Sequence, residues 1–430
     1  MTLFSDDYKL TPFWWDRTPR PSLEPKTLPK AVDVVVIGAG YTGLCAALQT
    51  ARAGRSTLVL DAEDVGWGCS SRNGGQISTS LKPELSGLGA KYGERRALEI
   101  LQEGPRSLQW VQDFIRTENI DCDLEVKGKF LGAHNAAQFK LLTERVENPV
   151  RGLETDAYIV SRSEQQSEIG SDFYHGGAVY PRIAAVDPGR YHQGILERVL
   201  QAQATVMSHC PVLDLREAGS GFRVNTASGA VQASQVIVAT NGYTSPLTPW
   251  LRRRIIPIGS YIIATDVLSD DLMDQLIPQG RVLGDTRKMV FYYRACPERK
   301  RVLFGGRVSL FETDAKLTGP RLHQHMTRIF PQLEATRISH SWAGFVGYTF
   351  DSLPHLGNLK GLFYSMGYCG SGVGMASYLG MRIGQKLLDT DEGKTAFDDL
   401  KFETRPLYTG HPWFLAASLI YYQWRDSLAR

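Results

Sequence analysis

Three glycines stand at a spacing that can do chemistry: Gly38, Gly40 and Gly43, in "VIGAGYTGLC". In such a G-x-G-x-x-G turn the first glycine permits the tight bend. The second lets the backbone approach a pyrophosphate, and the third lets helix and strand pack closely. A phosphate there would meet the free N–H groups of a helix N-terminus. Asp61 ends the next strand-like run, 18 residues past Gly43. A carboxylate at that place accepts both hydroxyls of a ribose and repels a 2′-phosphate, which argues against NADP. NAD and FAD both stay open at this point.

Three further segments bear on that choice. "GWGCSSRNGGQ" (66–76) follows the second strand with small and donor-rich residues, where an NAD-dependent dehydrogenase would usually proceed to another βα unit. Such a loop suits the second half of a dinucleotide. "VIVATNGYT" (236–244) brings a strand end, a hydroxyl and a glycine to a further phosphate or ribitol contact. "GYCGSGVGM" (367–375) opens a helix with three more glycines, and its N-terminus could favour the anionic reduced ring of a flavin. These segments select FAD.

The elements that must position these residues are legible from periodicity. "DVVVI" reads as a buried strand, "YTGLCAALQTARAG" as a helix ending at Gly54, and "STLVLD" as a second strand. "ASQVIVAT" and "GLFYSM" read as further apolar strands, the latter running through "GYCGSG" into the helix "VGMASYLGMRIGQKLLD". Residues 92–118 read as helix with a break near Gly104–Pro105. "NAAQFKLLTERV" is a helix, and so is the stretch after Asp187, with Asp187 as cap and Pro188 in the first turn. Residues 254–310 alternate as an antiparallel sheet, followed by a helix at about 317–330. Residues 1–30, with Pro at 12, 19, 21, 25 and 29, read as an irregular arm over the surface.

The expected fold is α/β: a discontinuous Rossmann-like FAD-binding domain with a smaller antiparallel-sheet substrate domain. The first domain takes residues 1–85, 150–245 and 340–430, and the second takes 86–149 and 246–339.

Composition excludes little but guides much. The chain has 430 residues, 43% hydrophobic and 22% charged, as expected of a soluble globular protein. A net charge of +3 gives no reason to expect nucleic acid as a partner. No apolar run reaches the length of a membrane span, and no signal peptide opens the chain. "PWFLAASLIYYQW" (412–424) reads as a helix packed on the body or an interfacial anchor. Six cysteines without a C-x-x-C pair read as reduced thiols in a cytoplasm, and the histidines indicate no metal site.

The motifs "VVVIGAGYTGLCAALQTARAG", "LVLDAEDVGWGCSSRNGGQ", "VIVATNGYT", "YYRACPERKRVLFGGR", "WAGFVGYTFDSLPHLG" and "GYCGSGVGMA" resemble the signature segments of the D-amino-acid-oxidase-type FAD oxidoreductases. With "FWWDRTPRPSLEP" and "GWGCSSRNGGQ", the chain most resembles the gamma-glutamylputrescine oxidase branch. The resemblance implies bound FAD and oxidation of an amine C–N bond to aldehyde, ammonia and hydrogen peroxide, with oxygen or another electron acceptor. It places Gly38, Gly40 and Gly43 at the pyrophosphate and Asp61, where the family more often has Glu, at the adenosine ribose. Ser71, Arg72, Asn73, Gly74, Gly75 and Gln76 would lie along the phosphates and flavin. Val212 would meet adenine through its backbone, Thr240 and Gly242 would flank the cofactor, and Gly370, Gly372 and Val373 would approach the pyrimidine edge. Some relatives attach flavin through a cysteine before a Y-T-x-x-P-like stretch. Val346 and Gly347 occupy that region here, so non-covalent FAD is expected, with Cys369 the one other thiol to consider.

The flavin carries the hard step, so no triad or metal is required. The antiparallel block should wall the pocket. Tyr292 and Arg294 share a strand face, and Arg294 either binds a substrate carboxylate or serves an inter-domain ion pair. Trp342, Phe345 and Tyr348 form an aromatic wall or ordinary core. Arg72 is the residue expected to tune the flavin. The expected substrate is gamma-glutamylputrescine or a related gamma-glutamylated polyamine; the alternatives are N-methyl or D-amino acids on the same fold, or a flavin-holding protein without turnover.

Overall fold

A computed structural model describes residues 2–428. Its fold is mixed α/β, built on two large sheets. Five parallel strands form the centre of the first, in the order Thr205–Met207, Thr57–Leu60, Ala31–Ile37, Gly229–Val238 and Leu362–Met366. Val34, Val35, Val36, Leu58 and Val59 are fully buried, because parallel strands are covered on both faces. The hairpin Val212–Ala218 and Gly221–Thr226 extends the first half of Gly229–Val238. The glycine turn feeds the helix Tyr41–Arg52, which lies against the helix Gly372–Leu387. Small residues make that contact: a Cβ on Gly380 would come within 2.5 Å of the Thr42 carbonyl oxygen.

The second sheet has nine strands, ordered Phe4–Lys9, Ile338–Tyr348, Ile256–Thr265, Val302–Gly306, Tyr292–Ala295, Val282–Asp285, Lys129–Gly132, Gly177–Tyr180 and Tyr158–Val160. The run from Ile338–Tyr348 to Val282–Asp285 is antiparallel. One face is sealed by the helix Ala315–Ile329, with Phe130, Ile263, Leu283, Tyr293 and Phe304 in that core. The other face looks toward the glycine segments. Phe4–Lys9, Gly177–Tyr180, Tyr158–Val160 and Ile338–Tyr348 from residue 340 on bond into this sheet, although they lie in chain segments expected with the other lobe.

Two local expectations need correction. The arm is irregular only after its first part: Phe4–Lys9 adds a parallel edge strand and Phe13–Arg17 forms a short helix, while residues 18–30 hold no regular element. Aromatic burial outweighs the prolines there, since Trp14 is completely buried among Phe13, Ile262, Leu303 and Trp342. Nor does the long helix break at Gly104–Pro105; it runs unbroken over Glu94–Thr117. Gly104 instead permits close packing, because a Cβ there would meet the Thr79 carbonyl oxygen at 2.1 Å. The C-terminal helix Leu415–Leu428 buries Leu415 and Leu419 and leaves Trp413, Ile420, Tyr421 and Trp424 exposed around it. Among the described residues no helix is long and apolar enough to cross a membrane, and no group of three or more His, Cys, Asp or Glu could hold a metal.

Candidate active site

The glycine turn is fixed by packing on every side. Gly38 has φ +103°, a conformation natural to glycine, and a Cβ on Gly43 would lie 1.9 Å from the Gly38 carbonyl oxygen. Asp61 Oδ2 accepts from the Ala39 amide at 2.7 Å, and Oδ1 accepts from the Glu63 amide at 3.1 Å. Burial raises the Asp61 pKa, and those amides oppose the shift. The Cys210 amide donates to the Asp61 carbonyl at 2.7 Å, so the strand starting at Val212 begins beside the expected ribose position.

His192, from the helix Pro188–Gln201, closes the turn from behind. Burial, with Arg20 nearby, lowers its pKa to about 3, so the ring is neutral. Its contact with the Ala39 carbonyl at 2.7 Å is then an Nε2–H donor bond.

The two adjacent serines of the donor-rich loop part company in the turn Cys69–Ser71. Ser70 Oγ accepts from the Tyr41 amide at 3.0 Å, at the N-terminus of the first helix. Ser71 is wholly buried; it donates to the Gly66 carbonyl and accepts from Trp15 Nε1 and Arg20, which fills its hydroxyl. The Ser71 hydroxyl is thus committed within the loop, and it is its neighbour Ser70 that reaches the helix N-terminus. Asn73 Oδ1 accepts from the Gly75 amide at 2.8 Å and shapes the bend. Gly74 packs on the Tyr292 ring, and the Gln76 amide donates to the Tyr293 carbonyl at 3.3 Å.

The Arg72 guanidinium lies 4.4 Å from the centre of the Trp67 ring and 4.7 Å from that of Trp15. It donates to the Trp67 and Ala343 carbonyls. Burial lowers its pKa but leaves it cationic.

The distant segments are bonded to one another. Thr42 and Tyr368 share a buried hydroxyl contact of 2.7 Å, and Asn241 Oδ1 accepts from the Gly367 amide at 2.9 Å. A Cβ on Gly38 would meet the Ala239 carbonyl at 3.0 Å, next to Thr240. Thr240 pairs its hydroxyl with Thr244, and Gly242 packs on the Phe345 backbone. Gly370 has φ +97° and stands 3.7 Å, at its would-be Cβ, from the Tyr348 hydroxyl. Gly372 and Val373 open the last helix, and a Cβ on Gly372 would meet only open space. A narrow backbone cradle, tight at Gly40 and open at Gly372, fits an extended dinucleotide.

The wall is the free face of the nine-stranded sheet. Tyr292 lies flat over Gly305 and meets Ser260 Oγ at 2.8 Å; burial lifts its pKa to about 12. Burial also raises the Tyr348 pKa, and among the described residues its hydroxyl has no partner. Two expected wall residues lie on that face but are covered by other segments. Arg294 is 3% exposed, donates to the Ala295, Val186 and Gly75 carbonyls and lies 4.0 Å from a Glu125 carboxylate oxygen, so it braces the loop. Trp342 is 1% exposed and donates to the Arg72 carbonyl at 2.8 Å; it supports the loop from beneath. Phe345 is half-buried against Tyr243.

Sequence reasoning passed over Ser70, His192, Trp15 and Lys129. For Lys129 a signal existed: in "KGKFLGA" it alternates with Phe130, whose ring is in the core, so Lys129 must face the other side of the strand.

Residues 33–386 match the family of FAD-dependent oxidoreductases designated DAO. The chain is 31% identical over 399 residues to gamma-glutamylputrescine oxidoreductase of Escherichia coli (strain K12), covering 92% of this chain and 93% of that protein. It is 29% identical over 382 residues to the probable oxidoreductase OrdL of Haemophilus influenzae, covering 88% of each. In fold it is similar to glycine oxidase from Geobacillus kaustophilus, with a TM-score of 0.73 at 18% identity over 88% of this chain and 99% of that one. It is likewise similar to L-proline dehydrogenase from P. horikoshii, with a TM-score of 0.70 at 16% identity over 91% and 99%. The glycine cradle and its match along most of the sequence thus agree, and the chain belongs to the DAO family of FAD-dependent oxidoreductases.

Proposed function

We propose that this enzyme oxidises the C–N bond of a gamma-glutamylated amine, with gamma-glutamylputrescine as the first substrate to test and oxygen as the acceptor. The observation that carries the reading is the pairing of an intact FAD cradle with 31% identity, over 92% of the chain, to gamma-glutamylputrescine oxidoreductase. FAD, when bound, supplies the acceptor for the two electrons leaving the amine. The protein's own task is to orient the substrate and keep its amine neutral.

Named side chains suit that task. Gly38, Gly40, Gly43 and Ser70 hold the phosphates, Asp61 the ribose, and Val212 the adenine. Thr240, Gly242, Asn73, Gly74, Gly75 and Gln76 line the cofactor's length, while Gly370, Gly372 and Val373 present a helix N-terminus to its pyrimidine end. Tyr348, protonated and unpartnered, is placed to hydrogen-bond the amine. Tyr292 shapes the floor. Arg72 keeps a positive charge beside the loop without a carboxylate within ion-pair distance among the described residues, which favours electron density on the cofactor.

The test is anaerobic mixing of the yellow holoenzyme with gamma-glutamylputrescine, N-methyl amino acids and D-amino acids in turn. Bleaching by the first alone supports the proposal, and peroxide on readmitting air supports oxygen as acceptor. Bleaching by an amino acid but not by gamma-glutamylputrescine overturns it.

A further inference from the structure

Lys129 lies on the free face of the nine-stranded sheet and Lys82 in a loop near it, and among the described residues neither is in ion-pair contact with a carboxylate. Lys129 stands on Lys129–Gly132, half-buried, and its side chain crosses Gly284: a Cβ there would come within 3.2 Å of Lys129 Cε and 3.3 Å of Nζ. Gly284 is the cross-strand partner of Tyr292, the residue beneath the Gly74 loop. The Lys129 ammonium therefore lies one strand away from the tyrosine of the proposed substrate floor.

Lys82 stands in the loop after the strand Gln76–Ile77, two residues past Ser80, whose hydroxyl meets that of Ser371 at 3.3 Å. It is close enough to Lys129 to lower its pKa electrostatically, and it also senses Cys369 in the last glycine segment. Lys82 is exposed, but the surrounding protein still withdraws hydration and lowers its pKa. Lys129 loses more: burial first, then Lys82, bring it down to about 8.

Among the described residues neither ammonium has a hydrogen-bond or ion-pair partner. The nearby carboxylate, Asp285, pairs with Arg287 at 2.7 Å and attracts Lys129 less than burial and Lys82 oppose its charge. Lys288 adds a further positive charge near Lys82. Two like charges held together without an anion are costly unless a ligand supplies one.

We propose that Lys129 and Lys82 form a subsite for a carboxylate of the substrate, separate from the C–N bond that is oxidised. This rests on the amine-oxidation reading above and deepens it. A free diamine would bring a second ammonium toward two others and be rejected. Acylation removes that ammonium, and although a glutamyl group brings an α-ammonium of its own, it sets beside it a carboxylate the lysines can hold. Selectivity then comes from repulsion as much as from attraction.

The holoenzyme tests this with two amines that differ only in the carboxylate: gamma-glutamylputrescine and N-(4-aminobutanoyl)putrescine. FAD content is measured first for wild type, Lys129→Gln, Lys129→Arg and Lys82→Gln. The ratio of anaerobic reduction rate constant to Kd should favour the carboxylate-bearing amine in wild type by about 10- to 100-fold, the range of one charge-assisted hydrogen bond. Lys129→Gln should bring that preference close to one, Lys82→Gln should reduce it, and Lys129→Arg should retain most of it. An undiminished preference in Lys129→Gln overturns the proposal, and so does loss of FAD from that variant, which would assign the lysine to the cofactor. A second measurement separates failure of the functional reading. Glutarate should perturb the flavin absorbance of wild type and not of Lys129→Gln, whether or not either amine reduces the enzyme. No perturbation of wild type by glutarate overturns the subsite itself.

Discussion

The hydroxyls of Thr42 and Tyr368 lie 2.7 Å apart, fully buried, joining the first helix of the glycine turn to the last glycine segment. The Tyr368 hydroxyl also meets the Ser365 carbonyl at 2.9 Å. It sits where the two ends of the cofactor cradle are tied together. Tyr368→Phe leaves Thr42 and Ser365 without their shared partner and should cost about 1–3 kcal/mol of stability. Chemical denaturation of the apoprotein gives that number, and FAD titration should show weaker binding. Unchanged values for both would mean the tie is not a structural link.

Ser70→Ala and Ser71→Ala should behave differently although the residues are adjacent. Ser70 faces the first helix N-terminus, so its loss should weaken FAD binding with little change in apoprotein stability. Ser71 holds Gly66, Trp15 and Arg20 together in a buried node, so its loss should lower apoprotein stability by about 1–3 kcal/mol. Fluorescence titration with FAD and thermal melting distinguish the two effects; the reverse assignment would contradict the geometry.

Gly43→Ala forces a methyl against the Gly38 carbonyl, and the turn cannot open without losing its packing. The purified variant should be colourless and unable to take up FAD. Gly372→Ala meets open space within the protein, so the apoprotein should melt at the wild-type temperature. Reduced FAD affinity in that variant would locate the cofactor over Gly372, and unchanged affinity would remove it from there.

His192 should make the protein acid-sensitive. Its pKa falls from 6.5 to about 3 on folding, so below pH 6.5 the unfolded chain binds a proton that the folded chain refuses. Stability is then lost progressively as pH drops from about 6.5 toward 3. Melting temperatures of His192→Gln should decline less over that window than those of wild type, while the variant is less stable at pH 7 if the new side chain cannot reach the Ala39 carbonyl.

Acid precipitation should release FAD intact into the supernatant. No cysteine stands at Val346 or Gly347, and the Cys369 thiol is buried, donates to the Gly367 carbonyl, and has its pKa pushed up to about 11. Colour remaining with the pellet would point to a covalent bond.

What could be read from the chain without coordinates follows from how local each signal is. The βαβ unit at 31–60 and its glycine turn carry their geometry in adjacent residues, and they stand where expected. The Asp187 cap accepts from the Gly189 and Arg190 amides, as Asp before Pro suggests. Arg294 was left between two roles because strand alternation gives the face but not the occupant: Val186, Gly75 and Glu125 reach it from far along the chain. Ser70 and Ser71 could not be told apart, since a single residue's rotation in the turn Cys69–Ser71 decides which hydroxyl is buried. The arm was misread for a related reason. Its prolines are local evidence, whereas the slot that receives Trp14 is built from residues near 262, 303 and 342.

That arm has a consequence for how the molecule is made. Phe4 pairs with Ile338 and Lys9 with His340, while Trp14 donates to the Asn73 carbonyl at 2.8 Å. The arm thus cannot settle until the strand Ile338–Tyr348, far along the chain, has been made. Until that strand exists the donor-rich loop lacks its brace, so flavin loading follows the synthesis of that strand rather than that of the glycine turn.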